Sequence, residues 1–422
     1  SVDRGYDDSP QMLEITTETL GASIRYTLDG TKPTATYGTH YTAPISITTT
    51  TTLRAIAYLP GYIPSNVDTQ TYIFPQAVVE QDGAGFPDDW GVVAGYSDSE
   101  IDPEVVGTNA VPNPDYYDDF IEGLTAIPTL SLVLPVSEMF ANGGLYDNPG
   151  STTMEKETSA ELIYPDGTKG FQIDAGLKMQ GGASRNPGSS PNHSMSLRFR
   201  QEYGPGHLDF PLYEGSPVDS FNSLQIRSAY NNSWTHWDPG QRSRASLIRD
   251  QWARDTLLAM GQPDAGRGMY VHLYIDGLYW GVRMLQERQE ASHYAAYNGG
   301  NEDTLDALNS GAAIDGTTES WLAMHSFVAN AATDGIDLAE FQEIQQKLDV
   351  ESFIDYMIVN QYGKNSDWDG HNWRAAGGGA DGAPWVIYSW DAERIWRPAR
   401  LRATTSGSTT PINPVDCSRI SD

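Results

Sequence analysis

The pattern of hydrophobic positions changes character along this chain. Between residues 11 and 75 it alternates with period two, as strands do. Ile24-Arg25-Tyr26-Thr27-Leu28 runs into Asp29-Gly30, a strong hairpin signal, and Leu53-Arg54-Ala55-Ile56-Ala57-Tyr58 alternates again before Pro60-Gly61. Residues 41–47, interrupted by Pro44, and 67–73 complete a set of short strands expected to form a small β-sandwich. Over 76–127 periodicity lapses into Pro, Gly and Asp. That stretch reads as an ordered connector, with Asp115, Asp118 and Asp119 as a solvated acidic face and calcium as a weaker reading.

From about 128 the pattern mixes periods, which predicts an α+β domain. Thr129-Leu130-Ser131-Leu132-Val133-Leu134 is a buried strand. Further strands flank Pro165-Asp166-Gly167 and run through Gly176-Leu177-Lys178-Met179-Gln180 and residues 194–200. Leu247, Ile248, Trp252 and Leu257 fall at helical spacing, predicting a helix over 243–260 that stops at Gly261. Residues 271–275 and 278–282 form a hairpin around Asp276-Gly277. Helices follow at 321–332 and 350–361, the second capped by Asp349, and then a strand at 385–388. Residues 397–422 are polar and aperiodic and read as an atypical or disordered tail.

Composition adds a constraint. The 422 residues carry a net charge of -30, which disfavours nucleic acid and anionic membranes as partners. Any site for a polyanion must therefore have local cations or metal, and Arg185, Arg198, Arg200, Arg227, Arg242, Arg244, Arg249 and Arg254 are concentrated in one stretch. The single cysteine, Cys417, excludes an internal disulfide framework. No apolar run approaches the roughly 20 residues that span a bilayer. The amino terminus shows no signal peptide and begins as if cut from a longer precursor.

The densest chemistry lies in Asn365-Ser366-Asp367-Trp368-Asp369-Gly370-His371-Asn372-Trp373, followed by Trp385-Val386-Ile387-Tyr388-Ser389-Trp390-Asp391. Phosphoryl transfer needs a carboxylate near the acceptor hydroxyl, oxygen ligands for a hard cation, and positive charge on the phosphates. Asp367, Asn372 and Asp391 have that order. Spacing alone also fits an Asx-rich loop that caps backbone groups. Asn231, Asn232, Trp234 and His236 form a polar aromatic loop that lines a substrate cleft on this reading. Metal-spaced histidine pairs, a serine nucleophile elbow and the lysine phosphate loop of common NTPases are absent.

Two resemblances sharpen these readings. Ile24-Arg25-Tyr26-Thr27-Leu28-Asp29-Gly30-Thr31-Lys32-Pro33 and Leu53-Arg54-Ala55-Ile56-Ala57 resemble the immunoglobulin-like module at the carboxy-terminal end of chitobiases and β-hexosaminidases, a spacer without catalytic residues. From 76 to 396 the chain resembles the CotH kinase family, named for a bacterial spore coat protein. The match runs colinearly through Gly176-Leu177-Lys178-Met179-Gln180-Gly181-Gly182-Ala183-Ser184-Arg185, Ser246-Leu247-Ile248-Arg249-Asp250-Gln251, Tyr274-Ile275-Asp276-Gly277-Leu278-Tyr279-Trp280-Gly281, Gln286-Glu287-Arg288, Asp367 to Trp373 and Ser389-Trp390-Asp391.

The resemblance implies a divergent kinase fold that phosphorylates Ser or Thr of secreted or cell-surface proteins, with ATP and Mg²⁺ or Mn²⁺. It implies Asp367 as the catalytic carboxylate, Asn372 and Asp391 as metal ligands, and Trp385 as an aromatic stacking near adenine. Arg185, Arg198 or Lys178 supplies the phosphate cation, with Glu287 as its partner. Members of the family carry consecutive lysines where Asn192-His193 stand here, so the choice among the three cations stays open. The expected organisation is a sandwich at 11–75, a connector at 76–127, a kinase-like domain at 128–396 and a tail at 397–422. The implied location is extracellular or cell-surface in a bacterium, and a surface glycan is a second partner class. The rival readings are a non-catalytic pseudokinase beside an accessory module and, behind it, a glycoside hydrolase with paired carboxylates.

Overall fold

The computed structural model describes residues 2–87, 100–107, 113–140, 143–186 and 188–396. Cys417 and the tail expected at 397–422 lie outside the described residues, as does part of the connector. The chain has a β-rich amino-terminal region followed by a larger mixed α/β region.

It divides into two compact units, and the division does not follow the expected boundary near residue 128. The first unit holds Ser1–Phe210, Asn222–Tyr230 and Met269–Leu285; the second holds Pro211–Phe221, Asn231–Gly268 and the residues from Gln286 onward.

In the first unit, strands Gly5–Tyr6, Asp68–Ile73, Thr51–Tyr58, Ser23–Thr27 and Thr39–His40 form one sheet, in that spatial order, and Gln11–Leu13 pairs with Ile45–Ile47 in another. Leu13, Ile45, Ile47, Leu53, Ala55, Tyr72 and Phe74 share a buried core, as the alternating pattern requires. Behind this module a closed seven-stranded barrel runs Gln172–Gln180, Ser194–Arg198, Ser223–Arg227, Leu278–Glu287, Gly268–Ile275, Thr129–Val133 and Lys156–Ile163. Closure leaves no unpaired sheet edge. The Asp276-Gly277 hairpin has both residues left-handed, φ 50° and 83°, as a two-residue turn of the primed type demands.

Module and barrel share buried polar contacts. Glu161, fully buried on a barrel strand, accepts from the Thr71 hydroxyl at 2.5 Å and the Thr71 N–H at 3.2 Å, and its Oε1 lies 3.1 Å from Arg4 Nη1. Gly30 turns so close to the barrel that a Cβ there would stand 2.2 Å from the Leu134 carbonyl oxygen, with φ at 73°. The Asp29-Gly30 turn is thus a docking point and not the expected hairpin, since Ser23–Thr27 pairs with Thr39–His40 across a connection over 28–38.

The second unit is built on a four-stranded sheet of Ala312–Asp315, Asp306–Asn309, Trp373–Gly378 and Ala383–Ser389, in that order. Helices Arg249–Ala259, Ala291–Asn298, Glu319–Ala331, Leu338–Lys347 and Val350–Tyr362 accompany it. Trp321, Met324, Tyr356, Trp373, Trp385 and Ile387 form its main core. Asp349 caps the Val350–Tyr362 helix by accepting from the Ser352 N–H at 2.9 Å, and its own N–H donates to the Trp385 carbonyl. The helix expected over 243–260 starts at Arg249. Leu247 is left-handed, φ 57°, and the Ser246 N–H is turned to the Asn232 carbonyl, so the chain cannot enter a helix earlier.

Candidate active site

The register of one antiparallel ladder positions the site. Trp373 stands opposite Ser389 at the end of the strand pair Trp373–Gly378 and Ala383–Ser389. Asn372, just before the first strand, and Trp390-Asp391, just after the second, therefore leave the ladder at the same end. Asn372 and Asp391 are both left-handed, with φ of 64° and 55°. Such backbone is uncommon outside glycine and concentrates at functional sites.

The loop leading to Asn372 is pinned at both ends. Asn365 donates from Nδ2 to Asn360 Oδ1 at 2.8 Å, on the Val350–Tyr362 helix, and accepts from the Asp367 N–H at 3.3 Å. The Asn372 N–H donates to the Ser310 hydroxyl at 3.1 Å.

Asp367 is the hub of the loop. Its Oδ2 accepts from Asn372 Nδ2 at 3.2 Å and lies 3.1 Å from Arg394 Nε, while Oδ1 is 2.7 Å from His371 Nε2. The carboxylate is mostly buried and His371 mostly exposed, so the pair opens toward solvent through the histidine. Arg394 and His371 were not singled out from the sequence. The only sequence signal for Arg394 is its position three residues after Asp391, and for His371 its place inside the loop.

The segment carrying Asp391 is fixed from beneath. The Ala392 N–H donates to Asp250 Oδ1 at 2.8 Å, and Asp250 Oδ2 accepts from Gln286 Nε2 at 3.1 Å with Arg254 Nε at 3.5 Å. Glu393 accepts from the Asn231 N–H at 2.7 Å. The buried Arg374 guanidinium lies 3.7 Å from the centre of the Trp390 ring and donates to the Gln289 carbonyl. Burial works against the charge on Arg374, as does Arg288, while Glu290 and Asp391 sustain it.

The other expected site residues lie elsewhere. Trp385 is a core side chain, 1% exposed and edge-on to Trp321 at 5.1 Å, so it has no free face for a purine. That corrects the adenine-stacking expectation. The strand is apolar on both faces, and only its pairing decides which residue faces the core. Glu287 has both oxygens engaged, accepting from the Arg267 N–H at 2.6 Å and the Tyr297 hydroxyl at 2.7 Å. Lys178, Arg185 and Arg198 belong to the first compact unit, whereas Asp367, Asn372, Asp391 and Glu287 belong to the second. Lys178 Nζ donates to the Thr152 carbonyl, and Arg185 Nη1 donates to the Gly150 and Ser151 carbonyls at 3.2 and 3.1 Å.

The donor chemistry fits a hard divalent ion held partly by a ligand's phosphates. Among the described residues no group of three or more His, Cys, Asp or Glu side chains is arranged as a metal cage. Asn372, however, donates from its amide nitrogen to Asp367, which leaves its carbonyl oxygen as an acceptor, and Asp391 adds a carboxylate at the same end of the ladder. Mg²⁺ commonly takes one or two protein oxygens and completes its shell with phosphate and water.

Among the described residues no helix is long and apolar enough to cross a membrane. Comparison with curated proteins finds no match for this chain. Comparison with family models finds two: Fn3 associated over residues 13–72, covering the β-rich module, and CotH kinase protein over residues 227–410, covering the loop, the ladder and Asp391. Residues 227–410 are thus similar to the CotH kinase family, and residues 13–72 to the Fn3-associated family.

Proposed function

We propose that the chain transfers the γ-phosphoryl group of ATP to a Ser or Thr hydroxyl of an exported protein, with the amino-terminal module as a small β-sandwich beside a kinase-like fold. The observation that carries this reading is the ladder register, which sets Asn372 and Asp391 at one end with Asp367 hydrogen-bonded to Asn372. Mg²⁺ or Mn²⁺ bound there with ATP supplies charge neutralisation on the phosphates. Asn372 Oδ1 and an Asp391 carboxylate oxygen would hold the metal.

Asp367 orients the acceptor hydroxyl and receives its proton as the oxygen bonds to the γ-phosphorus and the bond to the β-phosphate oxygen breaks. Asn372 Nδ2 holds the Asp367 carboxylate in place. Arg394, 3.1 Å from Asp367, would meet the negative charge that develops beside that carboxylate. Asp250 fixes the Ala392 N–H and so orients Asp391 without touching substrate.

The test is incubation of the full chain with labelled ATP, Mn²⁺ or Mg²⁺ and a generic protein acceptor. The wild-type chain incorporates label and Asp391→Ala does not. Equal labelling by the two would sink the proposal and favour the pseudokinase reading.

A further inference from the structure

We propose that the 231–244 loop is the docking surface for the acceptor polypeptide, and that the segment it takes presents acidic side chains beside the phosphorylated hydroxyl. This inference rests on the phosphotransfer reading above.

The loop is tied directly to the catalytic segment. The Asn231 N–H donates to Glu393, two residues beyond Asp391, at 2.7 Å. The next residue, Asn232, is buried; it accepts from Arg249 Nη1 at 2.7 Å through its side chain and from the Ser246 N–H through its carbonyl. Beyond this anchor the loop is locally ordered. The His236 and Trp237 rings stack at 5.6 Å, and His236 Nδ1 accepts from the Asp238 N–H at 3.0 Å. Arg242 Nη1 donates to the carbonyls of His236 and Trp237 at 2.8 and 3.1 Å. Asp238 caps the Pro239–Arg242 turn through the Gly240 N–H at 2.7 Å.

This internal bonding holds two indoles outward. Trp234 is 61% and Trp237 60% exposed. Exposing two tryptophans on a fixed loop is unfavourable in water, and rigid aromatic anchors of this kind dominate binding where they meet a partner. The charge around them selects the partner. Arg242 and Arg244 are exposed here on a chain whose net charge is -30, so the loop is a local cationic field on an anionic molecule. The acids bonded to the loop, Asp238 and Glu393, each accept from a backbone N–H, and Arg242, Arg244 and Arg249 outnumber them. Guanidinium groups recognise carboxylates by paired hydrogen bonds, which favours an acidic acceptor segment over a basic one.

The experiment uses the full chain and two dye-labelled Ser peptides of equal length, one flanked by Glu and Asp with an apolar residue, the other by Lys. Binding is read by anisotropy and labelling by phosphate incorporation. The acidic peptide binds roughly tenfold or more tightly than the basic one, and Trp234→Ala, Trp237→Ala and Arg244→Glu each weaken it by a similar factor without moving the thermal midpoint. Asp391→Ala binds the acidic peptide like wild type and does not label it. Equal binding of both peptides, or tryptophan variants that bind like wild type, overturns the docking surface while leaving labelling intact. Tryptophan-dependent binding with no labelling by wild type removes the phosphotransfer reading and leaves the docking surface standing. A dimer in sedimentation that Trp234→Ala dissolves would assign the loop to a second copy of this chain and overturn the acceptor assignment.

Discussion

Arg394 illustrates how a site residue can be invisible in sequence and plain in space. An arginine three residues after an Asp is ordinarily solvated. Here the chain after left-handed Asp391 places Arg394 3.1 Å from Asp367. Replacing Arg394 with Ala should lower the phosphotransfer rate roughly 10²–10³-fold, the range seen when one preorganised donor to a developing charge is lost. Nucleotide affinity should be nearly unchanged. Single-turnover rates set beside nucleotide titration separate the two, and a parallel loss in both would assign Arg394 to structure alone. Asp367, Asn372 and Asp391 were expected from the colinear motif around them, and the ladder register brings Asn372 and Asp391 to one end with Asp367 bonded to Asn372. Trp385 was misread because an apolar strand residue does not declare its face, and here it packs on Trp321 in the core.

At the scale of elements, some strong local signals led to the right element and one was passed over. The Val350–Tyr362 helix was legible from its Asp349 cap and apolar spacing, and it matters because the loop carrying Asp367 and Asn372 follows its end. Asp349→Ala should cost about 1 kcal/mol, lowering the thermal midpoint by roughly 2–4 °C if the second compact unit unfolds on its own and by less if the whole chain unfolds together. Calorimetry would measure it, and a midpoint that does not move would show that the Asp349 N–H bond to Trp385 alone sets the helix start. The strands Asp306–Asn309 and Ala312–Asp315 were not foreseen. Their Ala, Asn and Asp residues have poor strand propensity; pairing with Trp373–Gly378 imposes the conformation on Asp306–Asn309, which in turn pairs with Ala312–Asp315. The Leu338–Lys347 helix was also missed, although Asp337 and Glu340 form a complete capping box at its start.

For the whole molecule, the amino-terminal module and the barrel strands up to Arg198 fall in one compact unit. No sequence period reports that Thr71 bonds Glu161 across 90 positions. Burial pushes Glu161 up to about 7 from an ordinary value of 4.5, against the lowering effects of Arg4 and the Thr71 bonds, while Asp68 raises it further. A carboxyl whose folded pKa is raised favours the fold most where it stays protonated. Its contribution is full below about 4.5 and is lost as pH rises through about 7. Denaturant titrations between pH 5 and 8 should show stability falling with pH in the wild type. Glu161→Gln should flatten that slope, and an unchanged slope would assign the effect to other groups, among them Asp276, whose buried carboxyl is also raised, to about 8.

The contact of Gly30 with the barrel bears on how such proteins diversify. The Asp29-Gly30 turn admits no side chain because the Leu134 carbonyl occupies the space where a Cβ would stand. A module joined to its neighbour only by a flexible tether can be exchanged, duplicated or dropped between lineages without repair. One seated this closely must change in step with the barrel, so recombination that replaced it would also have to redesign the residues facing Gly30, Thr71 and Arg4.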